Sequence, residues 1–242
     1  MTHQPRFYRT DHEFLMAFMA NVAKTSATAV TGQQQGSQGH RSGKHYAGPE
    51  HTGDKLAAKV YTNMRAVARM IATVTDPRRE ASEWSVLQFT SQAISLIHNG
   101  LTNAEQLKNP RTHEISHEYG CSVEEVPELW KVFLTELQER LDKKDPAELC
   151  AWVEYEVRFR IHPLADGSGR LATALTAWIM CRSGRAIPNY AYEQRSEMHE
   201  KLREGFDAFR DYYIKVCFRA PEEVAKTSGK TQRRRGRKLV RS

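Results

Sequence analysis

From Asp54 onward, apolar residues return every third or fourth position, a period that suits an α-helix and excludes a half-buried strand. Leu56, Val60, Met64, Val67, Ile71 and Val74 carry the pattern as far as Pro77. A second helix is expected from about Ser82 to Asn99, where Asn99-Gly100 stops it. The third starts near Ser122, whose spacing from Glu125 fits a capping box, and turns Val126, Leu129, Trp130, Phe133 and Leu137 inward. Leu149, Trp152, Val153, Val157 and Ile161 mark a fourth helix, and Leu171, Ala174, Leu175, Trp178 and Ile179 a fifth. A last helix, over about 193–217, carries Met198, Leu202, Phe209, Tyr213 and Val216. No stretch outside 111–121 reads as a strand. The expected fold is therefore all-α, with at most one small hairpin.

Ahead of this body, residues 10–23 read as a short amphipathic helix. Thr10 and Glu13 fit a capping box, and Phe14, Leu15, Phe18, Met19 and Val22 share one face. Residues 25–53 hold six of the fourteen glycines and almost no bulky apolar side chain, as a flexible linker would. Its histidines, at 40, 45 and 51, lack ligand spacing. The expected layout is an N-terminal helix over 1–24, a Gly/Ser/Gln-rich linker over 25–53, a helical domain over 54–220 and a basic tail over 221–242.

The net charge of +7 belongs to that tail. Residues 226–242 carry eight Lys or Arg and no acid; without them the chain has 28 basic and 29 acidic residues. Such a tail cannot bury enough apolar surface to order itself. Its functional reading is contact with nucleic acid, ribosome or another polyanion through counterion release, and the alternative is a solvated or trafficking tail. The 242 residues suffice for a substantial core, and no apolar run is long enough to span a bilayer, so no membrane partner is expected. The N-terminus lacks the charged-then-apolar layout of a secretory signal. Cys121, Cys150, Cys181 and Cys217 form no CxxC pair, which argues against a zinc ribbon or a disulfide scaffold and suits a reducing cytoplasm.

Chemistry concentrates in residues 160–173, RIHPLADGSGRLAT. Pro163 blocks continuation of the fourth helix, and Asp-Gly-Ser-Gly-Arg opens the fifth. Gly167, Ser168 and Gly169 let backbone N–H groups converge at a helix N-terminus, which makes a phosphate cradle. Arg170 can add a guanidinium fork. Asp166, repelled by bare phosphate, would be welcomed by a bridging Mg²⁺. His162 can take a proton from a hydroxyl at neutral pH. Base, metal carboxylate, anion hole and cation are the parts needed to move a phosphorus centre onto a hydroxyl. The bland alternative is an Asx-Gly turn that merely caps a helix.

The run His-Pro-Leu-Ala-Asp-Gly-Ser-Gly-Arg, 162–170, resembles the signature of Fic domains, H-P-F-x-D/E-G-N-G-R-x-x-R. Lys108-Asn-Pro-Arg-Thr-His-Glu-Ile resembles the family's hairpin flap, and Arg182-Ser-Gly-Arg-Ala-Ile-Pro resembles the turn after the signature helix. Gln194-Arg195-Ser196 then opens a helix as in many members. The resemblance covers roughly 84–218 and implies a Fic-like helical bundle with a small β-hairpin flap. It implies a transferase that splits a nucleotide-like phosphoanhydride or phosphodiester and attaches one part to a Ser, Thr or Tyr hydroxyl of a protein substrate. The commonest outcome is AMPylation from ATP with Mg²⁺. On this resemblance His162 is the general base, Asp166 holds the metal, Gly167, Ser168 and Gly169 form the anion hole and Arg170 binds phosphate. Thr112, His113, Glu114 and Ile115 would align the target by strand-like pairing. An inhibitory protein on a separate chain is also compatible with the resemblance.

Three departures qualify what the resemblance implies. The last motif arginine, which in the family grips the terminal phosphate of ATP, is Thr173; Leu164 replaces the aromatic and Ser168 the asparagine. The first of these leaves a donor with another nucleotide or a diphosphate link open beside ATP, and a non-catalytic binding module as well. The nearest match to the family's inhibitory helix, Ser196-Glu-Met-His-Glu200-Lys201, fails at its last position. A rival pattern is His113-Glu114-Ile115-Ser116-His117, which matches the H-E-x-x-H of zinc hydrolases. Pro110 just upstream and Glu118 just downstream argue against the buried helix that pattern needs, so the segment is read as a polar flap.

Overall fold

The structure is a computed structural model and describes residues 11–25, 54–76, 84–101, 109–112, 114, 120–189 and 195–218. The linker interior, the basic tail, Thr10, His113 and 115–119 lie outside the described residues. Eight helices follow one another among the described residues: α1 (Asp11–Thr25), α2 (Asp54–Val74), α3 (Val86–Ile97), α4 (Val126–Arg140), α5 (Pro146–Tyr155), α6 (Ser168–Arg182), α7 (Arg195–Glu204) and α8 (Phe206–Cys217). Between α5 and the motif loop, Glu156–Arg160 continue as one turn of π-helix. No strand occurs among the described residues, so the fold is all-α. The described part of the expected hairpin, 109–112 with Glu114, is neither helix nor strand.

α6 is the hub. Its sequence, SGRLATALTAWIMCR, is apolar or small on nearly every side, and a helix of that kind can only sit in the middle of a bundle. Accordingly α5, α2, α3 and α1 all pack around it. Small residues at Ala172, Ala174 and Ala177 let the neighbours approach, while Leu171, Leu175 and Trp178 fill the space between them. Trp178 stacks on Phe89 of α3 with ring centroids 4.4 Å apart. On the far side of α5, Phe133 of α4 stacks on Trp152 at 5.0 Å. Phe14, Phe18 and Val22 of α1 are buried in the same core, so the N-terminal helix is a working part of the bundle.

Local chemistry sets the helix ends. Ser85 caps α3 through a reciprocal box with Gln88, the side chain of each bonding the backbone N–H of the other. The start expected near Ser82 thus falls a few residues later. Ser122 and Glu125 do pair, with the Ser122 N–H 3.0 Å from the Glu125 carboxylate, but in the turn that precedes α4. Asp145 caps α5 by accepting the Ala147 N–H at 2.9 Å. The single last helix expected over 193–217 is two, because Gly205 takes φ 109° between α7 and α8. No helix among the described residues is long and apolar enough to cross a membrane.

Phe89 sits at the junction of α3 and α6 and is fully buried. Phe89→Ala should lower the free energy of unfolding by about 3–5 kcal/mol through lost burial, the lost stack and a residual cavity. Urea denaturation followed by circular dichroism measures this, and a loss under about 1 kcal/mol would contradict the central position assigned to α6.

Candidate active site

The site lies where the π-turn gives way to the motif loop and α6 begins. An i to i+5 bond, from the Ile161 N–H to the Glu156 carbonyl at 2.8 Å, closes the π-turn. The chain then turns sharply, and His162 takes φ 48°, the one positive φ at a non-glycine among the described residues. A left-handed imidazole-bearing residue is a strained conformer that its surroundings must impose. Arg111 imposes it. Its Nε donates to the His162 carbonyl at 3.0 Å, its backbone N–H donates to the Pro163 carbonyl at 2.8 Å, and its Nη2 donates to the Cys121 carbonyl. The Gly120 N–H adds a bond to the Phe159 carbonyl at 2.8 Å. The two ends of the flap thereby clamp the loop that carries His162.

The His162 ring is itself oriented. Nδ1 lies 3.0 Å from the Arg158 carbonyl, which can only accept, so in the neutral ring Nδ1 carries the proton and Nε2 keeps its lone pair. Burial pushes the His162 pKa down to about 4, helped by the Arg111 and Arg158 guanidinium charges and opposed by the bond to the Arg158 carbonyl and by Asp166. At pH 7 the ring is neutral and ready to accept a proton at Nε2.

Beyond Pro163 the loop is held from below. The Ser168 hydroxyl is buried and bonds back to residue 164, accepting its N–H at 3.0 Å and donating to its carbonyl at 3.2 Å. Ser168 therefore offers an incoming anion its backbone N–H rather than its side chain. His98, fully buried at the end of α3, has Nδ1 2.9 Å from the Ile94 carbonyl and Nε2 2.9 Å from the Asp166 carbonyl. Burial, with the Arg170 charge, lowers the His98 pKa. Gly167 takes φ 96°, and a Cβ there would stand 3.0 Å from His98 Nε2, so both backbone and space require glycine.

The first turn of α6 has no side-chain cap and no acidic residue. Its orphan N–H groups and the positive end of its dipole are therefore left for something else to satisfy. Arg170 stands in that turn, 3% exposed. Its Nη2 pairs with the Asp166 carboxylate at 2.7 Å, yet neither Nη1 nor Nη2 has a hydrogen bond of good geometry among the described residues. Burial would raise the Asp166 pKa, but Arg170, His98 and the Gly167 N–H outweigh it and hold the carboxylate below its ordinary range. A buried guanidinium with unused donors beside an open helix N-terminus fits a phosphate group. Asp166 is a single carboxylate beside that space, a donor set that suits Mg²⁺ shared with phosphate and water better than an all-protein cage. Among the described residues no cluster of three or more His, Cys, Asp or Glu side chains is arranged to hold a metal.

The structure thus brings His162, Asp166, Gly167, Ser168, Gly169 and Arg170 into one loop. Of the expected flap residues, Thr112 and Glu114 are described and His113 and Ile115 are not. Glu114 lies outside any helix, accepts the Val123 N–H at 2.9 Å and pairs with Arg111 at 3.5 Å. That carboxylate is engaged in shaping the flap base, whereas a zinc hydrolase needs it on a helix beside the metal. Sequence reasoning missed Arg111, His98 and Arg158. The available signals were Arg111 one residue after Pro110, His98 at a helix end, and a Glu154–Arg158 spacing inside an apolar helix. Burial pushes the Cys181 thiol up to about 12, which disfavours the reactive thiolate.

No protein-family model matches the sequence, and there is no significant match among curated proteins. Solved structures do match. A Fic domain containing signalling protein from Bacteroides thetaiotaomicron aligns at 18% identity over 86% of this chain and 84% of its own, with a TM-score of 0.50. A Fic family protein from Desulfovibrio desulfuricans aligns at 14% identity over 91% of this chain and 67% of its own, with a TM-score of 0.52. The chain has a Fic-like fold.

The depressed His162 pKa has a consequence for stability. The unfolded ring titrates near its ordinary value of 6.5 and the folded ring at about 4, so between those values the unfolded chain binds more protons. The stabilisation is complete above about pH 6.5 and is lost as pH falls towards 4, by up to about 3 kcal/mol. His98 shifts in the same direction. Urea denaturation at about pH 7.5 and about pH 4.5 should give a marked loss in the wild type and a smaller one in His162→Asn. Equal losses in both would mean that the ring is not held neutral by the fold.

Proposed function

We propose that this protein is a Fic-type transferase that moves a phosphate-linked group, AMP from ATP in the first instance, onto a Ser, Thr or Tyr hydroxyl of a protein substrate. The observation that carries the reading is the buried Arg170 with unused donors at the uncapped start of α6, eight residues after a neutral His162 whose Nδ1 is turned to the Arg158 carbonyl. In this reading the donor's phosphate lies on the Ser168, Gly169 and Arg170 N–H groups and the Arg170 guanidinium, which are fixed before the donor arrives and stabilise charge as it develops. His162 Nε2 takes the proton of the target hydroxyl as its oxygen bonds to phosphorus, while the bond from that phosphorus to the bridging oxygen breaks and, with ATP, pyrophosphate leaves. The phosphate's own negative charge would raise the low His162 pKa when donor binds, strengthening the base where it is needed. Asp166 would hold Mg²⁺, which when bound neutralises phosphate charge. The flap base, tied to residues 159–163 through Arg111 and Gly120, would set the target backbone against the loop so that attack is in line.

Thr173 favours a second donor class. Its hydroxyl donates back to the Gly169 carbonyl at 3.0 Å and it is buried, so α6 extends no second cation beyond Arg170 towards the turn. A diphosphate-linked donor other than ATP is therefore kept beside it. Intact-protein mass spectrometry of the full chain with Mg²⁺ and each of ATP, GTP, CTP, UTP and diphosphate-linked donors tests the reading, with a cell extract as the source of target. Wild type should give an adduct on itself or on a target protein, and its mass identifies the transferred group. His162→Ala should reduce the adduct by at least about a hundredfold. An adduct of equal yield in the variant would overturn the assignment of His162.

A further inference from the structure

A helix that ends leaves its last carbonyls without partners inside the helix. The run from α5 through the π-turn ends at the motif loop, and the carbonyls there are met from the flap. The Phe159 carbonyl accepts the Gly120 N–H at 2.8 Å, and the Ile161 carbonyl lies 3.6 Å from the Cys121 thiol, a weak donor. The His162 carbonyl accepts Arg111 Nε at 3.0 Å, and the Pro163 carbonyl accepts the Arg111 backbone N–H at 2.8 Å. The Arg158 carbonyl is left to the His162 ring, whose Nδ1 lies 3.0 Å from it.

Arg111 thus supplies two of these caps, and its fully buried guanidinium sits at the negative end of the helix it caps. The fork also reaches the flap's own far side, where Nη2 donates to the Cys121 carbonyl and Nη1 lies 3.5 Å from Glu114. A rigid planar fork fixes two backbones against each other, which a single-point donor does less well. What it fixes here is a strained backbone, since His162 stands at φ 48°. The ring's own bond to the Arg158 carbonyl is one neutral hydrogen bond, of the same order as that strain, so the motif loop does not hold the conformation by itself.

We propose that Arg111 is the positioning residue of the base: it caps the His162 and Pro163 carbonyls from the flap and so holds the ring with Nδ1 on the Arg158 carbonyl and Nε2 as the basic atom. The flap is then part of the proton-transfer machinery as well as an edge on which a target pairs. The base is assembled only while the two ends of the flap are seated on residues 159–163. The inference rests on the reading of His162 as the base, and it adds the residue that orients it.

Nitrogen-15 NMR of the full chain labelled at histidine reads the ring directly and needs neither donor nor target. The His162 signals are those missing from His162→Asn. With the ring neutral, wild type should show the widely separated ring-nitrogen shifts of a fixed Nδ1–H tautomer. Arg111→Gln, which removes both charge and fork, should draw the two shifts together towards those of a freely turning ring. Arg111→Lys, which keeps the charge on a single-point donor, should recover the separation only in part. Where transfer is observed, Arg111→Gln should slow it by about tenfold to a hundredfold at saturating donor and leave the half-saturating donor concentration unchanged.

A wild-type ring that averages its two tautomers would overturn the inference without recourse to any variant. Full separation retained in an Arg111→Gln variant that melts near wild type would overturn it too. Full recovery in Arg111→Lys would assign the effect to charge and overturn the role of the fork. Absence of transfer in wild type would count against the proposed function alone, because the ring shifts decide the role of Arg111.

Discussion

Burying a guanidinium costs several kcal/mol unless its charge and its donors are met, and Arg170 is met only in part. It has one carboxylate, Asp166, at 2.7 Å and no well-aligned acceptor for its terminal nitrogens among the described residues. The fold holds it there because α6 is the hub of the bundle. A helix buried on every side has no solvent face on which a residue of its first turn could rest. Asp166 is in turn backed by His98, whose Nε2 lies 2.9 Å from its carbonyl, and His98 by the end of α3, where Asn63 of α2 donates to the Ile97 and Asn99 carbonyls at 3.0 Å each. Core packing and site geometry are therefore one construction.

The loop between the π-turn and α6 carries the strain of that arrangement. His162 and Gly167 both sit at positive φ, on either side of Pro163 and the buried Leu164. Glycine adopts such a conformation freely, but histidine does so only under constraint. The constraint comes from 51 positions earlier in the chain, through Arg111. A flap residue thus sets the backbone of the base, and any segment that docks on the flap docks on an element bonded directly to the reacting loop. The π-turn has a related effect: its extra residue turns the Arg158 carbonyl onto the His162 ring while sending the guanidinium to Gly169.

The helices were legible because their period is a property of local sequence; the hub was not singled out, although SGRLATALTAWIMCR has no polar face to expose. His162, Asp166 and the glycine turn were legible as well, because all lie within nine residues and their chemistry is complementary. What sequence did not reveal was everything that reaches the loop from elsewhere. Arg111, His98 and Arg158 act through contacts spanning from 11 to 68 positions of chain, and no local pattern encodes those. Nor did the sequence show that the tight turn folds the Ser168 hydroxyl back on Leu164. Gly205 illustrates a milder miss, since an apolar period running through a glycine hides the break between α7 and α8.

The central claim is that the start of α6 is an anion site completed by Arg170. It is tested most directly by following the thermal unfolding midpoint of the full chain as inorganic phosphate is raised at constant ionic strength. A ligand that binds only the folded state raises stability by mass action, so wild type should melt progressively higher while Arg170→Gln stays flat. A wild type indifferent to phosphate, or an Arg170→Gln variant that gains as much as wild type, would contradict the account.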